Sequence, residues 1–396
     1  MINTSSPSFS PEQRLSGFYF TQFMSSGAAA AFAGIWFASK GLSAEQIGWI
    51  NSVPVLILLL MNLFVGRLAD RASDWRQAII LGAVAAAVFP LGLFGVQSFW
   101  GILLFWSLGV IAQSAIVPVS DAAAMRVARR RGTDFGAIRA WGTVGYLIAI
   151  FITGYLVHWF GGGIFLYLFV GLRLVLGLAS FTLPKLRAEK GEAIATGAAT
   201  LKQVMRPWFL LPLFGWSMVF ATHLILNGFQ SLLWSQQGIA TPVIGFLIAL
   251  GALSETIMFF LFKQFAHRFT ARKLILLSSL VSVARWVAMA YAPDVPVLIG
   301  LQLLHSVTYA LGFLGCMNFI ANWTSEDIAA EAQSFFVMLQ QGTAFVALTG
   351  FGWFASHYGP KAYLASAAFA AIGAVLVYLS IRLQPPKQEA SENPWN

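Results

Sequence analysis

Charge and cysteine are scarce in this chain of 396 residues. The single cysteine, Cys316, excludes an intrachain disulfide framework and any multi-cysteine metal site. Charged residues make up 10% of the sequence and hydrophobic ones 58%. A soluble globular protein carries roughly 25% charged residues. The deficit is spread along the whole chain, which excludes a soluble enzyme, a nucleic-acid binder and a disordered scaffold. No GxxxxGK[ST] phosphate cradle is present, so ATP-driven transport within this chain is not expected. Neither a GxSxG elbow nor an HExxH helix occurs, which argues against an intramembrane hydrolase. Nothing predicts a resident metal or cofactor. The polar stretch 1–13 lacks a basic region followed by a small-residue cleavage site, so no signal peptide is expected.

What the chain has in abundance is long apolar runs. A membrane-crossing helix takes about 20 such residues, and twelve runs qualify. They are 15–39, 47–65, 78–96, 99–125, 136–160 and 164–183, then 208–234, 243–262, 274–292, 297–323, 335–355 and 363–381. Their apolar residues are continuous rather than alternating, which excludes a membrane β-barrel. The formal net charge of +9 reads as a topology signal. With the N-terminus inside, 19 of the 24 Lys and Arg fall in cytoplasmic segments, among them Arg67, Arg71, Arg129, Arg130, Arg131 and Lys273. Only Lys40 and Lys361 lie outside, as the positive-inside rule requires. Both termini are then cytoplasmic.

The longest hydrophilic stretch, 184–207, reads as a linker between two halves that repeat weakly. Gly66-Arg67-Leu68-Ala69-Asp70-Arg71 is echoed by Lys263-Gln264-Phe265-Ala266-His267-Arg268, and Trp141-Gly142-Thr143 by Gln341-Gly342-Thr343, at offsets of 197 and 200 residues. The expected fold is an all-α membrane protein of twelve transmembrane helices, arranged as two six-helix bundles in pseudo-twofold repeat. Its expected parts are a cytoplasmic tail 1–14, a bundle 15–183, the cytoplasmic linker 184–207, a bundle 208–382 and a cytoplasmic tail 383–396. The segment from Gly66 to Arg71, with Arg76 after it, resembles the loop signature of the major facilitator superfamily. There the Asp and Arg latch a cytoplasmic gate, which implies that role for Gly66, Asp70 and Arg71. Ala72 and Ser73 stand where the second glycine of the signature belongs.

Ionisable residues inside apolar runs carry the functional information, because an isolated charge at the bilayer centre costs at least ~2.5–3.5 kcal/mol and normally faces a cavity or a partner. Asp121 and Arg139 flank the basic hairpin Arg129-Arg130-Arg131, so antiparallel helices set them at matching height. A carboxylate and a guanidinium can pair there, and the Arg fork suits a substrate carboxylate or diol. Glu255, Arg285 and His305 can meet near the midplane. Proton coupling needs such a group: burial favours the neutral acid, a neighbouring cation favours the anion, and a conformational change tips the balance. His223, Asn227, Gln230 and Ser231 share one helical face and suggest a wet cavity wall. Arg173, in mid-helix, has no evident carboxylate partner in the sequence. Phe18, Tyr19, Phe20 and Phe23 offer rings to an aromatic ligand or to packing.

The segment Phe135-Gly136-Ala137-Ile138-Arg139-Ala140-Trp141-Gly142-Thr143-Val144-Gly145-Tyr146 resembles the fifth helix of lactose permease and its relatives. In that group the matching Arg binds substrate together with an acid eighteen residues upstream, the position of Asp121 here. Ile257-Met258-Phe259-Phe260, Arg285 and Leu304-His305 follow the same pattern in order. The chain departs from it where Thr308 replaces the coupling Glu and where the acidic pair of helix seven is missing. The 3-phenylpropionic acid permease group is a nearer resemblance, carried by Pro118-Val119-Ser120-Asp121-Ala122, by His223 with Gly228-Phe229, by Glu255 and by Ala284-Arg285-Trp286.

This resemblance implies proton-coupled uptake of small aromatic or other organic acids by alternating access. It points to a multi-pass, monomeric protein of a bacterial inner membrane, with a small solute, the proton and the lipid bilayer as partners and no nucleic acid. Asp121, Arg139, His223, Asn227 and Gln230 would hold the substrate, and Glu255, Arg285 and His305 the proton. Sugar or nucleoside symport is the main alternative. Drug antiport is disfavoured because Gly142 and Gly145 are followed by no proline. A transport-inactive sensor is disfavoured by ionisable residues in the apolar runs of both halves.

Overall fold

The structure is a computed structural model and describes residues 9–71, 75–185, 205–266, 268–324 and 326–383. Helix α1 (Pro11–Ser39) opens on a capping box in which Ser10 and Gln13 satisfy each other's backbone N–H, with Pro11 in the first turn. Glu12 follows, its carboxyl held below the usual carboxylate range first by a hydrogen bond from its own backbone, then by Ser10 and Arg131. Helix α2 (Ala44–Arg71) and α3 (Trp75–Val88), which tightens into a 3₁₀ turn at Phe89–Phe94, come next. Helix α4 (Phe99–Arg131) is capped by Ser98 and stopped by Gly132 in the left-handed region at φ 65°. The Asp134 side chain then accepts from the Gly136 N–H to start α5 (Phe135–Phe160), followed by α6 (Ile164–Ser180).

In the second half, α7 (Pro207–Leu224) passes through a π turn at Leu226–Gln230 into the short α8 (Ser231–Gln236). Helices α9 (Thr241–Ala266) and α10 (Ala271–Met289) follow. Helix α11 (Val295–Leu303) passes through a second π turn, Ser306–Leu311, into α12 (Gly312–Trp323). Helices α13 (Glu326–Tyr358) and α14 (Tyr363–Arg382), joined by a 3₁₀ turn at Gly359–Ala362, complete the described chain. No strand occurs among the described residues.

Eight stretches of described residues are long and apolar enough to cross a membrane: Ala44–Met61, Trp75–Phe94, Phe99–Arg131, Phe135–Phe160, Pro207–Gln236, Thr241–Phe262, Val295–Trp323 and Ala332–Arg382. The last runs over both α13 and α14. Helices α1, α6 and α10 fall outside this set for physical reasons. Helix α6 has only 17 residues and carries Arg173. Helix α1 carries Gln22, and α10 carries Arg285 with three buried serines. Large apolar side chains such as Leu81, Trp100 and Phe260 are 73%, 73% and 80% exposed, a surface that fits hydrocarbon rather than water.

By its contacts the chain divides into two compact units, Met1–Gly41 with Leu60–Gly191 and Leu42–Leu59 with Glu192–Asn396, so the division falls inside α2. In the first unit, Leu15, Phe18, Ile79, Ile116 and Leu176 form a core between α1, α3, α4 and α6. Helices α1 and α5 run close because small residues line their seam: a Cβ at Gly145 would strike the Phe20 carbonyl, and one at Gly27 the Tyr146 carbonyl. The second unit repeats the device between α7 and α14, where Gly215 and Gly373 face each other backbone to backbone. It does so again between Gly48 and Gly352, beside a 2.9 Å hydrogen bond from Thr349 to Ser52. Cys316 is fully buried on α12.

Substitution of Gly145 by Ala should therefore wedge α1 from α5 and destabilise the protein by about 1–3 kcal/mol, the usual cost of overpacking. Gly17→Ala, where nothing lies within 4 Å of the added carbon, should cause no loss. Thermal unfolding of the two purified variants checks the contrast.

Candidate functional site

The seam between α1 and α5 aims a basic residue at an acidic one. Arg139 lies one turn into α5, while Asp121 lies ten residues before the end of α4, so the pair is not level along the two helices as the sequence suggested. The length of the Arg side chain makes up the difference: Arg139 Nε stands 3.2 Å from Asp121 Oδ1. The same Asp121 oxygen accepts a 2.7 Å hydrogen bond from the Tyr19 hydroxyl of α1. Tyr19 and Phe23 also wall the guanidinium, whose carbon lies 5.3 and 4.2 Å from their ring centres. Gly142 leaves room for this stack, since a Cβ there would meet the Phe23 ring at 2.9 Å and Arg139 Nη1 at 3.3 Å. The Arg139 and Asp121 side chains stay 31% and 29% exposed. A partly open pair contributes at most about 1 kcal/mol to stability, so the arrangement positions groups more than it cements helices.

A second polar cluster forms in the other unit, around Arg285 on α10, which is fully buried. Its Nη1 donates to Thr308 Oγ1 at 2.9 Å and to His305 Nδ1 at 3.0 Å, and its Nη2 donates to Gln302 Oε1 at 2.8 Å. His305 Nε2 lies 3.4 Å from Glu255 Oε2 of α9. His223 completes the network, with Nε2 3.0 Å from Thr308 Oγ1 and Nδ1 2.9 Å from the Val219 carbonyl. The sequence expectation that Glu255, Arg285 and His305 meet is what the structure places, and it adds Gln302 and Thr308 as partners of Arg285.

Donor and acceptor rules then assign every proton in this chain of bonds. A guanidinium can only donate, so His305 Nδ1 is bare and a neutral ring carries its hydrogen on Nε2, facing Glu255. The Val219 carbonyl can only accept, so His223 carries hydrogen on Nδ1. Thr308 accepts from Arg285 and passes its own hydrogen to His223 Nε2. His305 cannot take a second proton at Nδ1 without releasing Arg285. Along the Glu255–His305–Arg285 chain, that leaves Glu255, 25% exposed, as the group able to gain a proton without breaking a bond to Arg285.

The expected stripe on one helical face is altered. The π turn Leu226–Gln230 adds a residue to one turn and changes the angular register beyond His223. Asn227 is exposed, Gln230 is buried with its Nε2 unpartnered, and His223 points into the Arg285 network instead of lining a wall with them. The second π turn starts directly after His305. Gly66, Asp70 and Arg71 lie on the last turns of α2, and their side chains fall outside the described residues. Arg173 is buried in the first unit, where it bonds to Gln113. Residues that the sequence did not single out are Gln302, Thr308 as an acceptor, Tyr19 as a hydrogen-bond donor, and Gln113. Their signal was polarity within an apolar run, which uncharged side chains carry weakly.

Apolar helices long enough to cross a membrane, with ionisable groups buried or half-buried among them, fit a membrane transporter. Residues 13–365 match the MFS_1 like family, and the chain belongs to that family of major facilitator transporters. It is 28% identical over 353 residues to the probable 3-phenylpropionic acid transporter of Escherichia coli strain K12, covering 86% of this chain and 90% of that protein. It is 30% identical over 285 residues to the maltose permease of Geobacillus stearothermophilus, 70% of each chain. The crystal structure of the nucleoside transporter NupG shares the fold at a TM-score of 0.84 and 18% identity, covering 95% of this chain and 100% of that one.

Thr308→Val removes an acceptor from Arg285 and a donor from His223 while keeping the volume. Leaving buried polar groups unpaired costs about 1–3 kcal/mol each, so its unfolding midpoint should fall clearly, and Thr308→Ser should restore most of the loss. Equal midpoints for Val and Ser would contradict the assigned bonds.

Proposed function

We propose that this transporter is a proton-coupled symporter that takes up a small organic acid, an aromatic one such as 3-phenylpropionate, by alternating access. The observation that carries the reading is the Glu255–His305–Arg285 chain, a carboxyl set one imidazole away from a buried guanidinium. The similarity to a probable 3-phenylpropionic acid transporter over nearly its full length supports the substrate class. In this reading Glu255 carries the proton, His305 links it to Arg285, and His223 extends the network through Thr308. Arg139, oriented by Asp121 and Tyr19, anchors the solute, with Asn227 and Gln230 as further polar contacts. Gly66, Asp70 and Arg71 form the cytoplasmic latch. The protein works as a monomer of twelve transmembrane helices in two six-helix repeats, in a bacterial inner membrane with both termini cytoplasmic. The bundles span 15–183 and 208–382, joined by the cytoplasmic linker 184–207 and flanked by the tails 1–14 and 383–396.

A second reading, symport of a neutral sugar or nucleoside, is favoured by one observation. Arg139 is already balanced by Asp121, and a donor beside an acceptor suits vicinal hydroxyls as well as a carboxylate. The similarity to a maltose permease points the same way. Thermal-shift screening of the purified protein with aromatic acids, sugars and nucleosides separates the two readings.

In proteoliposomes, an inward proton gradient should drive accumulation of the acid, with alkalinisation of the outside. Glu255→Gln should abolish gradient-driven accumulation and keep substrate exchange. Accumulation equal to that of the native protein would sink the coupling assignment. Arg139→Lys keeps the charge and loses the planar fork, and should weaken substrate binding roughly tenfold or more, about the worth of one charge-assisted hydrogen bond. Unaltered uptake by that variant would remove Arg139 as the anchor.

A further inference from the structure

Three rings stand in file on the segment that carries the partners of Arg285. His305, Tyr309 and Phe313 recur every fourth residue from the end of α11 to the start of α12. Their ring centres are 5.3 and 6.4 Å apart, and their planes lie within 5° and 7° of parallel. A regular α-helix advances about 100° per residue and would fan such rings out by about 40° at each step. The π turn Ser306–Leu311 lies between the first ring and the last, and its extra residue takes up that drift. Phe220 of α7 meets the middle ring at 5.9 Å, and His223 meets it at 5.7 Å. All five residues belong to the second unit.

This ladder keeps open surface. Phe220, Tyr309 and Phe313 are half-buried, unlike the fully enclosed Trp216, Trp286 and Phe229 of the same unit. Its first rung, His305, faces Glu255 at 3.4 Å, and these two side chains are 15% and 25% exposed. A carboxyl group among apolar helices turns its open side to a cavity rather than to lipid, so the ladder starts where the proton chain opens. The rings of α1 are engaged otherwise: Phe18 and Tyr19 are buried, and Phe23 has the Arg139 guanidinium 4.2 Å from its centre. We propose that Tyr309 and Phe313, backed by Phe220, receive the aryl group of the transported acid and set the preference for an aromatic over a saturated solute. Flat rings meet another aryl group by offset stacking or edge to face, contacts that a saturated ring cannot make. An aryl group on Tyr309 lies one rung from His305, which places solute and proton chain on one segment of backbone. This assignment rests on the reading of the solute as an aromatic acid and concerns its aryl end alone.

The test is equilibrium binding to the purified full-length protein, read by calorimetry, of 3-phenylpropionate and of 3-cyclohexylpropionate, which has the same carboxylate and chain but no π face. Tyr309→Leu and Phe313→Leu should each weaken 3-phenylpropionate about two- to tenfold, the worth of one aromatic pair. The cyclohexyl acid should move less, so the ratio of the two dissociation constants shifts. Tyr309→Phe and Phe313→Tyr keep the rings and should keep the native ratio. Phe23→Leu, beside the proposed carboxylate anchor, should weaken both acids alike. A native ratio in either leucine variant would overturn the proposal and leave the aromatic-acid reading standing. A ratio shifted only in Phe23→Leu would move the aryl group to α1. If the native protein does not bind 3-phenylpropionate, the reading of the solute falls and the role of the ladder with it. If Tyr309→Leu does not fold, Phe313→Leu, which leaves the ring on His305 in place, decides alone.

Discussion

A guanidinium that lies among apolar helices has to be surrounded by acceptors, and the second unit is arranged around that demand. Arg285 spends its bonds on Gln302, His305 and Thr308, all from the segment that begins at Val295. None of the three is a carboxylate, so the positive charge is solvated rather than cancelled. Glu255 stands one ring further out, facing His305. The serines of α10 support the same place: Ser278 donates to the Thr308 carbonyl at 3.0 Å and Ser282 to the Ser278 carbonyl at 2.8 Å. Two of the serines that lower the apolarity of α10 thus tie it to the backbone of the turn that carries Thr308.

The first unit meets the same demand differently. There the charge of Arg139 is cancelled directly by Asp121, and the pair is left partly open. The tight α1–α5 seam, made possible by Gly27, Gly142 and Gly145, is what brings the Tyr19 hydroxyl and the Phe23 ring to the pair. Close backbone approach and polar placement are one design, since a bulkier seam would carry α1 away from Asp121.

Much of this was readable beforehand because charge is scarce. With so few ionisable groups inside apolar runs, Asp121, Arg139, Glu255, Arg285 and His305 stood out at once, and helix spacing predicted which would meet. The places of Asp121 and Arg139 on either side of the basic hairpin mark the pair, and the eighteen-residue spacing adds only the resemblance to the lactose permease group; the α5 start at Phe135 is what offsets their heights. Neutral partners were harder to see. Gln302, Thr308 and Gln113 look like ordinary occasional polar residues until three dimensions show a guanidinium beside them. The stripe on α7 was misread for a local reason: periodicity assumes an α-helix, and the π turn at Leu226–Gln230 breaks the count. No composition signal announces such a turn.

The one thiol of the chain has a use that its chemistry alone does not suggest. Cys316 is enclosed on α12 with no exposed surface, out of reach of water-soluble maleimides while the fold persists. The native protein is therefore already a silent background for labelling. A cysteine introduced at an exposed position, such as Lys361, would be the sole reactive handle, and a pair of such cysteines would report distances by fluorescence or spin resonance without first rebuilding the interior.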